Sequence, residues 1–545
     1  MNNEFQPKLI SVLAEGYSLA RLKADAIAGL TVAIVALPLS MAIAIASGVT
    51  PDRGLFTAIV GGFLVSALGG SRHQIGGPAG AFIVLVAATV TAHGIEGLLL
   101  ATAMAGVFLM LAGLLRLGDY VKFIPYPVTV GFTAGIAVII FSSQITELLG
   151  LTLPAREPGP LIEKLPVLAE ALPTLNPAAA AVAFLTIATI LILRRFRPSW
   201  PGLLIAVGVA SLAATLLHLP VETIGTRFGG IPRSLPVPHL PSFSPELAQA
   251  VLPDAIAFAL LGAIESLLSA VVADGMTGRR HRSNIELIGQ GVANIGSALF
   301  GGMCVTGTIA RTATNVRAGG TSPFSGMLHA VFLLVFMAVA APLASYIPLA
   351  SLAGVLAIVS WNMIERPAFA ALLKSSRGDA VVLLATFLLV IFRDLTEGII
   401  VGFTLGALLF INRMSKSVTV VPHEEESEHP LKNTDADTVV YRIGGAFFFG
   451  AAATVGSVLD RIADRYSNLV LDCSAVSFMD STAANVIAGT IRKAEKAGVR
   501  VFIAGANPDF RHLLETHEVR SPEVEYVETI KVARTLIHEA RPPEA

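Results

Sequence analysis

Charge is scarce in this chain: of 545 residues only 14% are Asp, Glu, Lys or Arg, against roughly a quarter in ordinary soluble proteins. With 54% hydrophobic residues and a mean hydropathy of +0.72, that shortage excludes a soluble globular enzyme, because so few charges cannot build a hydrated surface of this extent. Cysteine is nearly absent. Cys304 and Cys473 lie in different parts of the chain, so no internal disulfide is expected within either. A basic surplus is missing as well, the net charge being −1, and no nucleic-acid partner is expected. The sequence has no phosphate-cradling P-loop, no Cys/His metal cluster and no nucleophile arrangement, so neither enzyme activity nor a cofactor is expected. What remains is a membrane protein whose first partner is the lipid bilayer.

The small net charge hides a division. Before Ser417 there are 25 basic and 20 acidic residues, and after it 13 and 19, so a basic membrane part is followed by an acidic appendage. Residues 1–23 lack the pattern of a cleavable signal peptide and read as a cytoplasmic N-terminal segment. Residues 24–416 hold about fourteen apolar segments: eight long runs near 24–48, 96–116, 128–148, 177–195, 200–218, 251–275, 323–343 and 378–393, and six shorter or Gly-interrupted ones. An even number places both termini on one side. Assigned that way, eighteen Lys and Arg fall on the side of the N-terminus and six on the other, which makes the former cytoplasmic. The setting expected is a bacterial inner membrane, crossed many times.

The membrane part carries an internal echo. Asp25-Ala26-Ile27-Ala28-Gly29-Leu30 opens the first span, and Asp254-Ala255-Ile256-Ala257-Phe258-Ala259-Leu260 opens the eighth. Gly76-Gly77 follows Asp25 by 51 residues and Gly301-Gly302 follows Asp254 by 47, each ahead of a short apolar segment. Seven spans per half is an odd number, so the second copy enters from the opposite face. Inverted repeats with paired broken helices belong to secondary transporters. After the membrane part comes an acidic linker, residues 417–437. Residues 438–545 then alternate strand and helix patterns: strands at 439–443, 469–472 and 499–504, helices at 452–466 and 481–497. That is a small cytoplasmic α/β domain.

A helix that starts inside the membrane presents unpaired N–H groups and the positive end of its dipole. Two such starts at matching depth make an anion site. The first is expected at Pro78, Ala79, Gly80, Ala81 and Phe82, and the second at Thr306, Gly307, Thr308, Ile309 and Ala310, followed by Arg311. The alternative is that these glycines only permit tight helix packing. Arg311 reads as the cation for a substrate anion; a snorkelling side chain or a structural partner for Glu265 are the other readings. Glu265 lies eleven residues into its span, about 16 Å along a helix and near mid-bilayer. Ionisation is expensive there, so it is the candidate for carrying a proton, unless it is a permanently ion-paired structural group. Pro38 is expected to kink the first span, and Ser40 offers a hydroxyl at matching depth.

Ala36-Leu37-Pro38 with Met41-Ala42, Gly76-Gly77-Pro78-Ala79-Gly80, Ile264-Glu265-Ser266-Leu267-Leu268, Ala310-Arg311-Thr312-Ala313-Thr314-Asn315 and the C-terminal Met479-Asp480-Ser481-Thr482-Ala483 together resemble the sulfate permease (SulP) family of anion transporters. The resemblance covers nearly the whole chain. It implies fourteen helices in a seven-plus-seven inverted repeat. A core domain would hold spans 1–4 and 8–11 and a gate domain the rest, and the usual assembly would be a homodimer. The C-terminal domain resembles a STAS domain, similar to anti-sigma factor antagonists in which the Ser matching Ser481 is phosphorylated. Ser481 is thus a candidate regulatory site, and a cytoplasmic protein a candidate partner, although an N-cap role for Asp480 or Ser481 explains the motif as well. The Arg279-Arg280-His281-Arg282 loop reads as a docking surface for the acidic domain or as a topological anchor.

Relatives that resemble sodium-coupled bicarbonate carriers have Asp where this chain has Glu265, which favours protons here. Many relatives carry Gln at the position of Leu39 and some Ser at that of Ala310, so this pocket is less polar. The expected function is proton-coupled symport of a small anion, sulfate, bicarbonate or a C4-dicarboxylate, by an elevator motion. An uncoupled anion channel or exchanger, and an anion sensor signalling through the C-terminal domain, are the other classes.

Overall fold

The computed structural model describes residues 3–123, 125–153, 158, 161–198, 200–393, 395–422, 437–449, 452 and 466–539. It divides into two compact units, Met1–Phe403 and Thr404–Ala545.

The first unit is helical. Eight of the helices among the described residues are long and apolar enough to cross a bilayer, and Gly202–Leu216 is a shorter apolar one. Their ends follow the local chemistry. Ser18 caps the helix Leu19–Ala46 by accepting from the Arg21 amide, and Asn176 caps Pro177–Phe196. Gly150 and Gly278 end Tyr126–Leu149 and Leu252–Thr277 in the left-handed conformation that glycine adopts without strain. The continuous run Ile83–Leu114 is broken at Gly94 (φ 68°, ψ −168°), so it is two helices, as the separate apolar runs at 78–92 and 96–116 led one to expect.

Within this unit the helices sort into two packing groups. Leu19–Ala46, Gly62–Leu68, Ile83–Leu114, Leu252–Thr277, Ser283–Leu299, Ile309–Arg317 and Pro323–Ala344 pack on one another as a core. Tyr126–Leu149, Pro177–Phe196, Gly202–Leu216, Leu349–Met363 and Arg377–Phe392 form a second group, the gate. The core's two halves are tied by exchanged contacts. Asp25, buried at the start of the first long helix, accepts from the Thr321 amide (2.5 Å), the Ser322 amide (3.2 Å) and Tyr17 Oη (2.7 Å). Its counterpart Asp254 faces His93 across 3.7 Å at the Gly94 break. Each Asp of the sequence echo thus reaches the junction between the third and fourth segments of the opposite half.

Two short strands cross at the centre of the core. β1 (Gly76–Gly77) pairs antiparallel with β2 (Thr306–Gly307), Gly76 opposite Gly307 and Gly77 opposite Thr306. The strand that meets the first glycine pair begins five residues after Gly301, at the second helix start expected from Thr306 onward. Gly302 lies instead against Ser297 and Thr57. The described part of the N-terminal segment is tied to the core. The helix Lys8–Ala14 packs on the core, the Lys8 amide donates to Gly69 O at 3.0 Å, and Glu15 pairs with Arg72.

In the second unit five strands run in the order β3 (Thr419–Pro422), β4 (Thr438–Phe447), β5 (Asn468–Met479), β6 (Arg500–Ala504) and β7 (Glu525–Val527), parallel except for β3. β3 occupies part of the segment expected to be a linker. Val418 and Val420 pack against the apolar core of this domain, and that burial draws the segment into the sheet. The helix expected at 452–466 falls at 453–465 outside the described residues, as do Glu424, Glu425 and Glu426. The helix Ser481–Lys496 begins as expected, with Asp480 as the cap.

Asp472 is 2% exposed on β5. Burial works against its charge, but Ser474 and Arg442, whose Nε donates at 2.7 Å, outweigh that and hold its carboxyl below the usual range. A depressed carboxyl stabilises the fold above its unfolded value near pH 4 and loses that contribution as pH falls. Asp472→Asn should therefore cost about 2 kcal/mol at pH 7 and much less below pH 3, as measured by urea unfolding; equal losses at both pH values would contradict it.

Candidate functional site

The β1–β2 crossing sets two helix starts against each other. Beyond β1 the chain turns at Ala79 into a 3-10 turn, Gly80–Phe82, and then the helix from Ile83. Beyond β2, Thr308 precedes the helix Ile309–Arg317 without capping it through its side chain, and the first helical bond runs from Thr312 N to Thr308 O at 2.9 Å. The amides of Ile309, Ala310 and Arg311 precede that bond. Two of the expected donors are spent locally: the Thr308 amide binds Ile75 O at 2.9 Å and the Phe82 amide binds Ala79 O at 3.1 Å. Among the described residues, the amides of Gly80 and Ala81 at the first start, and of Ile309, Ala310 and Arg311 at the second, have no hydrogen-bond partner.

Arg311 is 1% exposed and lies across the crossing. Its Nη2 donates to Ser40 Oγ at 3.1 Å and to Pro78 O at 3.4 Å, while Nε and Nη1 are buried without a hydrogen-bond partner. The first long helix runs through Pro38 without a break, and Ser40 Oγ in turn donates to Ala36 O at 2.7 Å. Arg311 makes no ion pair with any described carboxylate, Glu265 included; the reading of the two as a structural pair does not hold. Nor does it snorkel, since the side chain is enclosed. A guanidinium in this position is costly unless an anion or water meets its free edge.

Glu265 is 7% exposed, and among the described residues its carboxyl makes no hydrogen bond or ion pair. It shares a helix face with Gly262 and Ser269. That face rests on the broken helix of its own repeat, Thr306 Oγ1 donating to Gly262 O at 3.1 Å and Ser269 Oγ lying 3.1 Å from Thr312 Oγ1. Ser481 is exposed at the first turn of its helix, where Asp480, not Ser481, binds the Ala483 amide at 2.9 Å.

Several residues here escaped the sequence reading. Gln74 donates to Ser266 Oγ at 2.7 Å and to Glu286 Oε1 at 2.8 Å, and Glu286 accepts from the Gly70 and Ser71 amides at 2.7 and 3.0 Å. His329 is fully buried with neither ring nitrogen bonded. A cavity of about 980 Å³ lies between core and gate, lined by Ala42, Ile83, Ile139 and Leu352, with Arg53, Lys164 and Arg227 among its charged residues. At the first helix start the gate comes close: a Cβ on Gly80 would sit 3.0 Å from Ile140 Cδ1 and 3.7 Å from Met363 Sδ.

Comparison with known proteins gives a consistent result. The model of the sulfate permease family matches residues 22–386, and that of the STAS domain matches residues 429–530. The putative sulfate transporter YvdB of Bacillus subtilis is 40% identical over 504 residues, 92% of this chain and 94% of that protein. The bicarbonate transporter BicA of a Picosynechococcus species is 32% identical over 520 residues, 91% of this chain and 90% of the relative. The solved transmembrane domain of a cyanobacterial BicA aligns with a TM-score of 0.63 at 34% identity, covering 70% of this chain and 98% of that one. Murine Slc26a9 in its inward-facing state aligns with a TM-score of 0.86 at 18% identity, covering 98% of this chain and 94% of that chain, a likeness of fold.

If the free edge of Arg311 receives the anion, Arg311→Ala should weaken anion-dependent thermal stabilisation of the purified protein at least about tenfold. Retained affinity for every anion tested would remove Arg311 from the site.

Proposed function

Because the chain belongs to the sulfate permease family of anion transporters and carries a C-terminal STAS domain, we propose that it drives uptake of a small anion, sulfate, bicarbonate or a C4-dicarboxylate, together with a proton, across a bacterial inner membrane with both termini inside. The observation that carries this reading is the enclosed guanidinium of Arg311, two of its nitrogens unpartnered, between the starts at Gly80 and Ile309. An anion seated there meets a fixed cation and amides already oriented, so little reorganisation opposes binding. Ser40 holds Nη2 and leaves the other edge to the ligand.

Glu265 supplies the coupling. An ionised carboxylate in the same apolar enclosure repels the anion, so the proton that neutralises Glu265 and the anion that enters favour one another. Its lack of any described partner supports this use over a structural one. The core then carries anion and proton past the gate as one body. The separate packing of the two groups, and the apolar contact of Ile140 and Met363 on the Gly80 turn, supports such a slide. With the N-terminus inside, the cavity bounded by Ala46, Ile95 and Glu147 faces the outer side.

Proteoliposomes loaded to give an inward proton gradient test this with labelled sulfate, bicarbonate, succinate and fumarate. The wild-type protein should concentrate at least one of them, whereas Glu265→Gln should only equilibrate it. A Glu265→Gln protein that still concentrates the anion in response to the gradient would contradict the role of Glu265, and wild-type flux indifferent to the gradient would contradict coupling altogether.

A further inference from the structure

The β1–β2 crossing is made of glycine on both strands, and the two glycines seat different side chains. A Cβ on Gly77 would land on Nη1 of Arg311 and lie 3.0 Å from its Cζ. A Cβ on Gly307 would land on Nε2 of Gln74 and lie 2.8 Å from its Cγ. The guanidinium thus lies against the Cα of Gly77, and the Gln74 amide lies against the Cα of Gly307. We propose that Gly77 is a positioning residue for anion recognition: its missing side chain is the seat on which the Arg311 guanidinium lies with Nε and Nη1 turned to the substrate. This rests on Arg311 being the anion's cation.

The surroundings decide what gives way when the seat is filled. The backbone at Gly77 is held in place. Gly77 pairs with Thr306, Gly76 with Gly307, and the carbonyl of Ile75 accepts from both the amide and the hydroxyl of Thr308, at 2.9 and 3.2 Å. On the far side, a Cβ on Gly62 would lie 2.8 Å from Gly76 O, so β1 has no room to retreat towards the helix Gly62–Leu68. Arg311 is the movable partner. Its tip is tied only through Nη2, to Ser40 and Pro78, while Nε and Nη1 have no partner. A methyl group at position 77 therefore swings the guanidinium off the crossing and leaves the fold in place.

Gly307 is the built-in contrast. Gln74 is fixed at both neighbours, Ser266 and Glu286, and Glu286 also holds the Gly70 and Ser71 amides. A methyl group at position 307 pushes on that buried network, and the loss falls on folding rather than on recognition.

The experiment is titration of the purified full-length protein with sulfate, bicarbonate and succinate, each separately, read as melting temperature. Gly77→Ala should melt near the wild-type temperature without anion and need about tenfold more anion for half of the stabilisation, the loss of one charge-assisted contact. Gly307→Ala should lower the anion-free melting temperature instead. In an Arg311→Lys background, whose slimmer side chain clears the new methyl group, Gly77→Ala should change the midpoint less than twofold. A wild-type midpoint for Gly77→Ala, or a full tenfold further loss in the Lys background, would overturn the proposal. Wild-type protein stabilised by none of the three would count against the anion site itself, and with it against the seat.

Discussion

The structure depends on the cost of enclosing one guanidinium in an apolar membrane core. A charged side chain at that depth costs about 3 kcal/mol on insertion scales, and Arg311 offsets little of this with one hydroxyl and one carbonyl. A fold retains such a group only where something else meets it. The core is arranged around that requirement. Two chain segments break off as strands, cross, and restart as helices, so that amides and the dipoles of two helix starts surround the same point. Both strands carry glycine where they cross, because long polar side chains must pass over them.

The crossing holds its shape because the two halves of the core brace each other. Asp25 fastens the junction at Thr321 and Ser322, and Asp254 reaches its counterpart beside Gly94. Arg53 Nη1 donates to Gly301 O at 2.6 Å at one end of the core, and the Arg282 amide donates to Gly70 O at 3.0 Å elsewhere in it. Similarly, Thr57 receives the Met303 amide while Glu286 receives those of Gly70 and Ser71. Each exchange joins one repeat to the other, so the core resists internal distortion and is suited to move as a unit. The N-terminal segment adds to this, since Gln6, Lys8 and Glu15 bind Arg282, Gly69 and Arg72, residues from both halves.

Much of this was legible in the sequence, for physical reasons that also mark the limits. Apolar runs must be helical in a bilayer, so their places could be read. Arg311 and Glu265 stood out because charges there are rare, and Asp480 because capping is a local matter. The pairing of Gly77 with Thr306 was not legible: it joins residues more than two hundred positions apart. The roles of Gln74 and Glu286 were not legible either, since sequence does not say which way a side chain turns. The strand at 419–422 was hidden by the acidic residues that follow it.

Anomalous scattering from selenate bound to crystals of the protein, selenate being a sulfate analogue with a strong selenium signal, would locate the anion directly. The account expects one strong peak within hydrogen-bond reach of Arg311 and of the amides that start the helices at Gly80 and Ile309. A protein that transports sulfate yet binds selenate elsewhere, with Arg311 left aside, would contradict it.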